Sequence, residues 1–145
     1  MSEQGLETIE SSTQKAYEWI ARLAEGAHLE KRDAYKALRA VLQTLRDRLP
    51  LDDAVHFGAQ LPLLIRGLYY EGWEPSKVPV KMSREEFLAA VSDKIVTDKV
   101  IDPVRITGCV LEVISGHVAP GETEKLRHCF PKALQTLWPH TGAAL

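Results

Sequence analysis

The chain has 145 residues, of which 45% are hydrophobic and 26% charged, and a formal charge of −2 at neutral pH. That balance describes one ordinary globular domain able to bury about two thirds of its unfolded surface, and it excludes disordered, collagen-like and low-complexity chains. Lys and Arg alternate with Asp and Glu, so bulk electrostatics do not draw the chain to nucleic acid or anionic lipid, and no apolar run approaches the roughly 20 residues that span a bilayer.

Residues 1–11 lack a strong pattern and are expected to form a flexible N-terminus. A first helix is predicted over about Ser12 to Ala27, where Ala16, Trp19, Ile20, Leu23 and Ala27 share one face. A second is predicted over about Asp33 to Leu49: Leu38, Val41, Leu42, Leu45 and Leu49 form a stripe of 3.6-residue period, Asp33 suits the N-cap, and Pro50 cannot continue the helix. Lys31, Arg32, Lys36, Arg39, Arg46 and Arg48 are read as its solvated face, set among Glu30, Asp33 and Asp47. A short helix after Pro50 is expected to bury Val55 and Phe57, and Pro62 opens a fourth carrying Leu64, Ile65 and Leu68. Residues 72–82, which include GWEPSKVPV, read as a turn-rich linker.

The pattern is then written again. A shift of 69 positions carries Leu42 onto Leu111, Leu45 onto Ile114, Leu49 onto Val118, Phe57 onto Leu126, Leu61 onto Phe130, Pro62 onto Pro131, Ile65 onto Leu134, Leu68 onto Leu137 and Tyr69 onto Trp138. In the first helix the shift is 68, taking Trp19, Ile20 and Leu23 to Phe87, Leu88 and Val91. Ser83 with Glu86 forms a capping-box signature, Asp102-Pro103 opens the next long helix, and Ser115-Gly116 predicts that this helix ends a turn early. The expected fold is therefore all-α. Two internally duplicated helical repeats, residues 12–71 and 83–138 with three to four helices each, pack their apolar faces together in one compact bundle, a single domain over residues 1–145.

The run AYKALRAVLQTLRDRLPLDDAVHFGAQLPLLIRGLYYEGWEPSKVPV, residues 34–80, resembles a bacterial family catalogued as domain of unknown function 2267. LRDRLP, AQLP and RGLYYEGW carry the likeness, and EEFLAAVSDKI with VLEVISGHVAPGETEKLRHCFPKALQTLW fits the family's second half. The resemblance covers residues 13–138 and implies an all-helical, internally duplicated bacterial protein, with no activity or functional residue to carry over. Cys129-Phe130 departs from the family pattern, which more usually has a Gln-Leu pair there like Gln60-Leu61.

Chemistry-bearing motifs are few. No phosphate loop, nucleophile elbow, H-E-x-x-H or C-x-x-C is present. His117, His128 and Cys129 offer metal-ligating atoms, but residues adjacent on a helix point about 100° apart, and no metal is assigned. Asp52 and Asp53 lie within a turn of His56, an arrangement that helix-dipole stabilisation explains without catalysis. Cys109 and Cys129 sit in apolar patterns and read as buried free thiols of a cytoplasmic protein.

RGLYYEGWEP concentrates arginine and aromatic residues, the usual interface anchors. Arg66, Tyr70 and Trp73 are therefore the candidate partner-binding residues; Tyr70 and Trp73 align with Pro139 and Gly142 in the second repeat, so the cluster is asymmetric. The functional expectation is a non-enzymatic interaction or adaptor module without cofactor, binding a protein partner or another copy of itself. The alternative is a small-molecule sensor or enzyme with a pocket between the repeats, for which Arg39, His56, Gln60 and Arg66 are the candidate polar residues.

Overall fold

The structure of the protein, a computed structural model, describes residues 3–138, with side chains from Gly5 onward. Among the described residues there are eight α-helices and no strand: α1 (Glu3–Ala27), α2 (Lys31–Arg48), α3 (Leu51–Ala59), α4 (Leu63–Tyr70), α5 (Arg84–Lys94), α6 (Pro103–His117), α7 (Pro120–Cys129) and α8 (Lys132–Gln135).

Helix α2 is the axis of the molecule. It packs against α1, α3, α4, α5 and α6, and every residue from Ala40 to Arg46 is buried. Burying polar side chains is tolerable only when each finds a partner. Gln43 Nε2 donates to Leu68 O at 2.9 Å, Thr44 Oγ1 to Ala40 O at 2.7 Å, and Arg46 Nη1 to Tyr69 O and Glu71 O at 3.0 and 2.7 Å. The Arg46 guanidinium thus closes the end of α4, whose last carbonyls have no donor within the helix.

Buried apolar residues from both halves, from Trp19 to Trp138, belong to one core. Several positions 69 apart are alike in burial. Leu42 and Leu111, Leu45 and Ile114, Phe57 and Leu126, Leu61 and Phe130, and Ile65 and Leu134 are all buried. Pro62 and Pro131 are the N-caps of α4 and α8, and their carbonyls accept from Arg66 N and Gln135 N. The capping box of α5 is present: Ser83 Oγ accepts from Glu86 N at 3.1 Å and Glu86 Oε1 from Ser83 N at 3.0 Å. Asp102 caps α6, accepting from Val104 N at 3.0 Å.

Several expectations are corrected. Helix α1 starts at Glu3 rather than Ser12, so residues 3–11 are helical. Leu6 and Ile9 share the helical phase of Ala16, Ile20, Leu23 and Ala27, with Thr13 between them, although residues 6–11 are exposed on all sides. The N-cap of α2 is Glu30; Asp33 lies in the first turn, buried, with Lys99 Nζ at 3.2 Å. Helix α6 continues through Gly116 to His117, because Leu111 and Ile114 anchor the turns just before the weak glycine in the core and the His117 ring packs on Trp19 just after it. Val55 and Leu64 are 47% and 44% exposed, since Ala54, Phe57, Gly58 and Ile65 are the residues their helices turn inward. Residues 72–82 are pinned to α2, with Val80 N donating to Asp47 O at 2.8 Å and Arg48 Nε to Met82 O at 3.2 Å.

Candidate functional site

Helices α3 and α4 pack against each other and against α2 as a short hairpin. Its inner side is aromatic. Ring centroids step from Trp73 to Tyr70 at 5.3 Å, Tyr70 to Tyr69 at 5.0 Å, Tyr69 to Phe57 at 5.5 Å, Phe57 to Phe130 at 5.7 Å and Phe130 to Trp138 at 5.2 Å. Separations of this size favour offset and edge-on contacts, each adding about 0.5–1.5 kcal/mol beyond area burial. The ladder crosses from the first half of the chain to the second.

The proposed anchors Arg66, Tyr70 and Trp73 do converge. Arg66 Nε donates to Gly58 O at 3.0 Å and its Nη2 to Leu61 O at 2.8 Å, closing the end of α3. Tyr70 lies over the same glycine, where a Cβ would run into its hydroxyl and ring. Trp73 tilts onto Tyr70 and is half-buried, as Tyr70 is. Arg66 and Tyr70 brace the hairpin and Trp73 packs on Tyr70, and the counterparts Pro139 and Gly142 lie outside the described residues. Tyr69, beneath them, is fully buried and donates to Ala54 O at 2.7 Å; burial, with Tyr70 adding to it, pushes its phenol well above the ordinary range.

Both helices of the hairpin also expose aliphatic side chains. Leu51 and Val55, one turn apart on α3, are 45% and 47% exposed, and Leu63 and Leu64 at the start of α4 are 55% and 44% exposed. Ala59 continues the α3 stripe, and next to the α4 pair stands Gly67, where a Cβ would touch nothing. Neither stripe was evident from the periodicity, which assigned Val55 and Leu64 to the core.

The four residues considered for a pocket are dispersed. Arg39 is exposed and pairs with Glu71 Oε1 at 2.9 Å, His56 is exposed on α3, Gln60 is the C-cap of α3, and Arg66 is spent on backbone carbonyls. None of them lines the cleft of about 300 Å³ that opens between α1 and α6, one helix from each half. Leu23 and Val113 are its apolar part, and Arg22, Glu25, Cys109, Glu112 and His117 its polar part. Within it the His117 ring sits 4.9 Å from that of Trp19, and its Nδ1 is 2.7 Å from Val113 O, so this nitrogen carries the proton. Arg105 Nη1 donates to Ala27 O at 3.0 Å, tying the end of α1 to α6. Small residues at the rim, Gly26 and Gly116, were the only sequence signal for this cleft.

Among the described residues no three His, Cys, Asp or Glu side chains converge as metal ligands. His128 projects into solvent and bonds Glu124 O at 2.7 Å, away from His117. Burial pushes both thiols, Cys109 and Cys129, above their ordinary range, which makes them poor nucleophiles. No helix is long and apolar enough to cross a membrane among the described residues.

Fold and surfaces together define a small all-α bundle built around one buried helix, with an aromatic-braced helical hairpin at its flank. A family model described as Uncharacterized conserved protein (DUF2267) matches residues 16–137, and the chain belongs to that family. No curated protein matches it.

Proposed function

We propose that the chain is a non-enzymatic, cytoplasmic protein-interaction module that docks a partner helix on the outer face of the α3–α4 hairpin. The carrying observation is the set of half-exposed aliphatic side chains Leu51, Val55, Leu63 and Leu64 on two adjoining helices, whose packing on each other is fixed by Arg66, Tyr70 and Trp73. Exposed aliphatic groups of this kind mark interaction surfaces, and a rigid scaffold lowers the entropic cost of docking. The two free cysteines and the interspersed surface charge fit a reducing compartment and a protein that binds neither nucleic acid nor lipid.

The test is affinity capture from the source organism with crosslinking, comparing the wild type with Val55→Glu/Leu64→Glu. The variant changes only exposed positions, so circular dichroism should be unaltered. A protein crosslinked to α3 or α4 in the wild type and absent with the variant supports the assignment. Retention by both forms removes it.

A second reading has its own observation in the α1–α6 cleft, which falls at the small end of the size range of ligand pockets, roughly 300–1,000 Å³. It predicts amide shifts at Gly26 and Gly116 on screening small ligands, with none on α3 or α4.

A further inference from the structure

Two hollows of the surface meet on α6. On one side lies the cleft against α1, which follows α6 from Cys109 to Gly116, about 10 Å of helix at 1.5 Å per residue. On the other lies a groove of about 410 Å³ against α7, reaching Ser115, Pro120, Thr123 and Glu124. Glu112 and Gly116, one turn apart, border both hollows and form the ridge between them. Gly116 leaves that ridge low, since even a Cβ there would touch nothing.

The charge along this path is one-sided. Its single arginine, Arg22, stands 3.6 Å from Glu18 Oε1, which also lies 3.9 Å from His117 Nε2. Arg105 is spent on Ala27 O and Gly26 O, and Lys125 on Glu122. Glu25 and Glu112 have no ion-pair or hydrogen-bond partner for their carboxylates among the described residues. Glu124 has its nearest bases, Arg127 and His128, both at 3.9 Å across exposed side chains, where solvent weakens the pairing. Between these carboxylates the walls are apolar or small, with Leu23, Val113, Gly116 and Pro120. We infer that the path holds an aliphatic polyamine, whose ammonium groups reach Glu25, Glu112 and Glu124 while its methylenes lie on the apolar wall between them. A compact cation would meet the carboxylates of one hollow; an elongated one crosses the ridge at Gly116 and meets all three. The inference rests on the second reading above, that the α1–α6 cleft holds a small ligand.

Spermidine is the probe, titrated into the full chain at low salt and followed by amide shifts. These should gather at Gly26, Gly116 and Thr123, with none on α3 or α4. Affinity should fall from spermidine to putrescine, and again as salt screens the contacts. Hexaamminecobalt(III), which has the charge of spermidine but no chain, should bind more weakly. Glu25→Gln and Glu112→Gln alter exposed, unpaired groups and should each weaken spermidine about two- to fivefold, the usual worth of an exposed ion pair. Gly116→Leu keeps the charge and favours the helix, yet it should remove the shift at Thr123 by raising the ridge. Spermidine binding that ignores both Gln variants, or that hexaamminecobalt(III) matches, would overturn the assignment. Uncharged ligands that shift Gly26 and Gly116 where spermidine does not would also overturn it, while leaving the cleft a ligand site. Silence from every ligand would remove both readings.

Discussion

The Arg66 guanidinium and the Gln135 carboxamide, 69 positions apart, make the same bond. Arg66 Nη2 donates to Leu61 O at 2.8 Å and Gln135 Nε2 to Phe130 O at 3.0 Å, each reaching back across a proline to the carbonyl five residues earlier. Arg66 also bonds Gly58 O and Ala59 O, so it carries the larger share. Arg66→Met keeps most of the apolar stem and removes every donor, and is expected to lower stability by about 1.5–3 kcal/mol, the usual range for hydrogen bonds to a charged group. Gln135→Met should cost about 1 kcal/mol as a neutral bond. Urea midpoints at constant slope measure both, and an equal loss would show that the charge contributes nothing.

Gly58 is needed for space. A Cβ there would meet the Tyr70 hydroxyl and stand 2.8 Å from its ring carbon and 3.0 Å from the ring of Tyr69, both braced by neighbours that cannot retreat freely. Gly58→Ala should therefore destabilise the fold by about 1–3 kcal/mol, the usual cost of overpacking. Its penalty should shrink in a Tyr70→Leu background, where the obstructing ring is gone. A double-mutant cycle by thermal unfolding reads the coupling; strict additivity would mean that the strain lies elsewhere.

The helical plan was legible because period and punctuation agree: the Leu38 to Leu49 stripe, the prolines at 62 and 131 and the Ser83–Glu86 box each state one fact locally. What was missed depends on side chains that act at a distance. Arg46 reads as a surface base between Leu45 and Asp47, yet it is 5% exposed because α4 ends against it and offers carbonyls. Val55 and Leu64 are apolar and near helical phase, but Phe57 and Ile65 set the inward direction, and on helices of nine and eight residues a single turn decides the face. For the cleft, His117 meets Trp19 across 98 positions of sequence, a relation that no window of periodicity contains.

The start of α5 makes a local prediction. Ser83 and Glu86 satisfy each other's backbone N–H, and these bonds hold the Glu86 carboxyl below its ordinary range, the backbone bond from Ser83 being the larger cause. Ser83→Ala should cost about 1 kcal/mol by loss of the cap. A lowered carboxyl stabilises the fold above its unfolded pKa and loses that contribution as pH falls through the folded one. The difference between wild type and Glu86→Gln should accordingly vanish in acid and be constant at neutral pH; chemical denaturation at both ends of that range measures it.

Tyr69 makes the opposite prediction at alkaline pH. Its hydroxyl is buried and donates to Ala54 O, so the folded protein keeps the proton where the unfolded chain releases it at about pH 10. Stability from this group is complete below that value and falls as pH rises toward the folded pKa, by about 1.4 kcal/mol per pH unit. Lys94 acts in the reverse sense, since burial pushes its ammonium down and the folded form is relieved as the proton leaves. Comparison with Tyr69→Phe isolates the phenol. Near neutrality the variant should be about 1 kcal/mol less stable, having lost one hydrogen bond. Above pH 10 the wild type alone carries the ionisation penalty, so the two curves should converge and cross within about one pH unit. Parallel curves through this range would mean that the hydroxyl ionises in place, which a buried phenol bonded to a carbonyl cannot do without opening the α3–α4 hairpin.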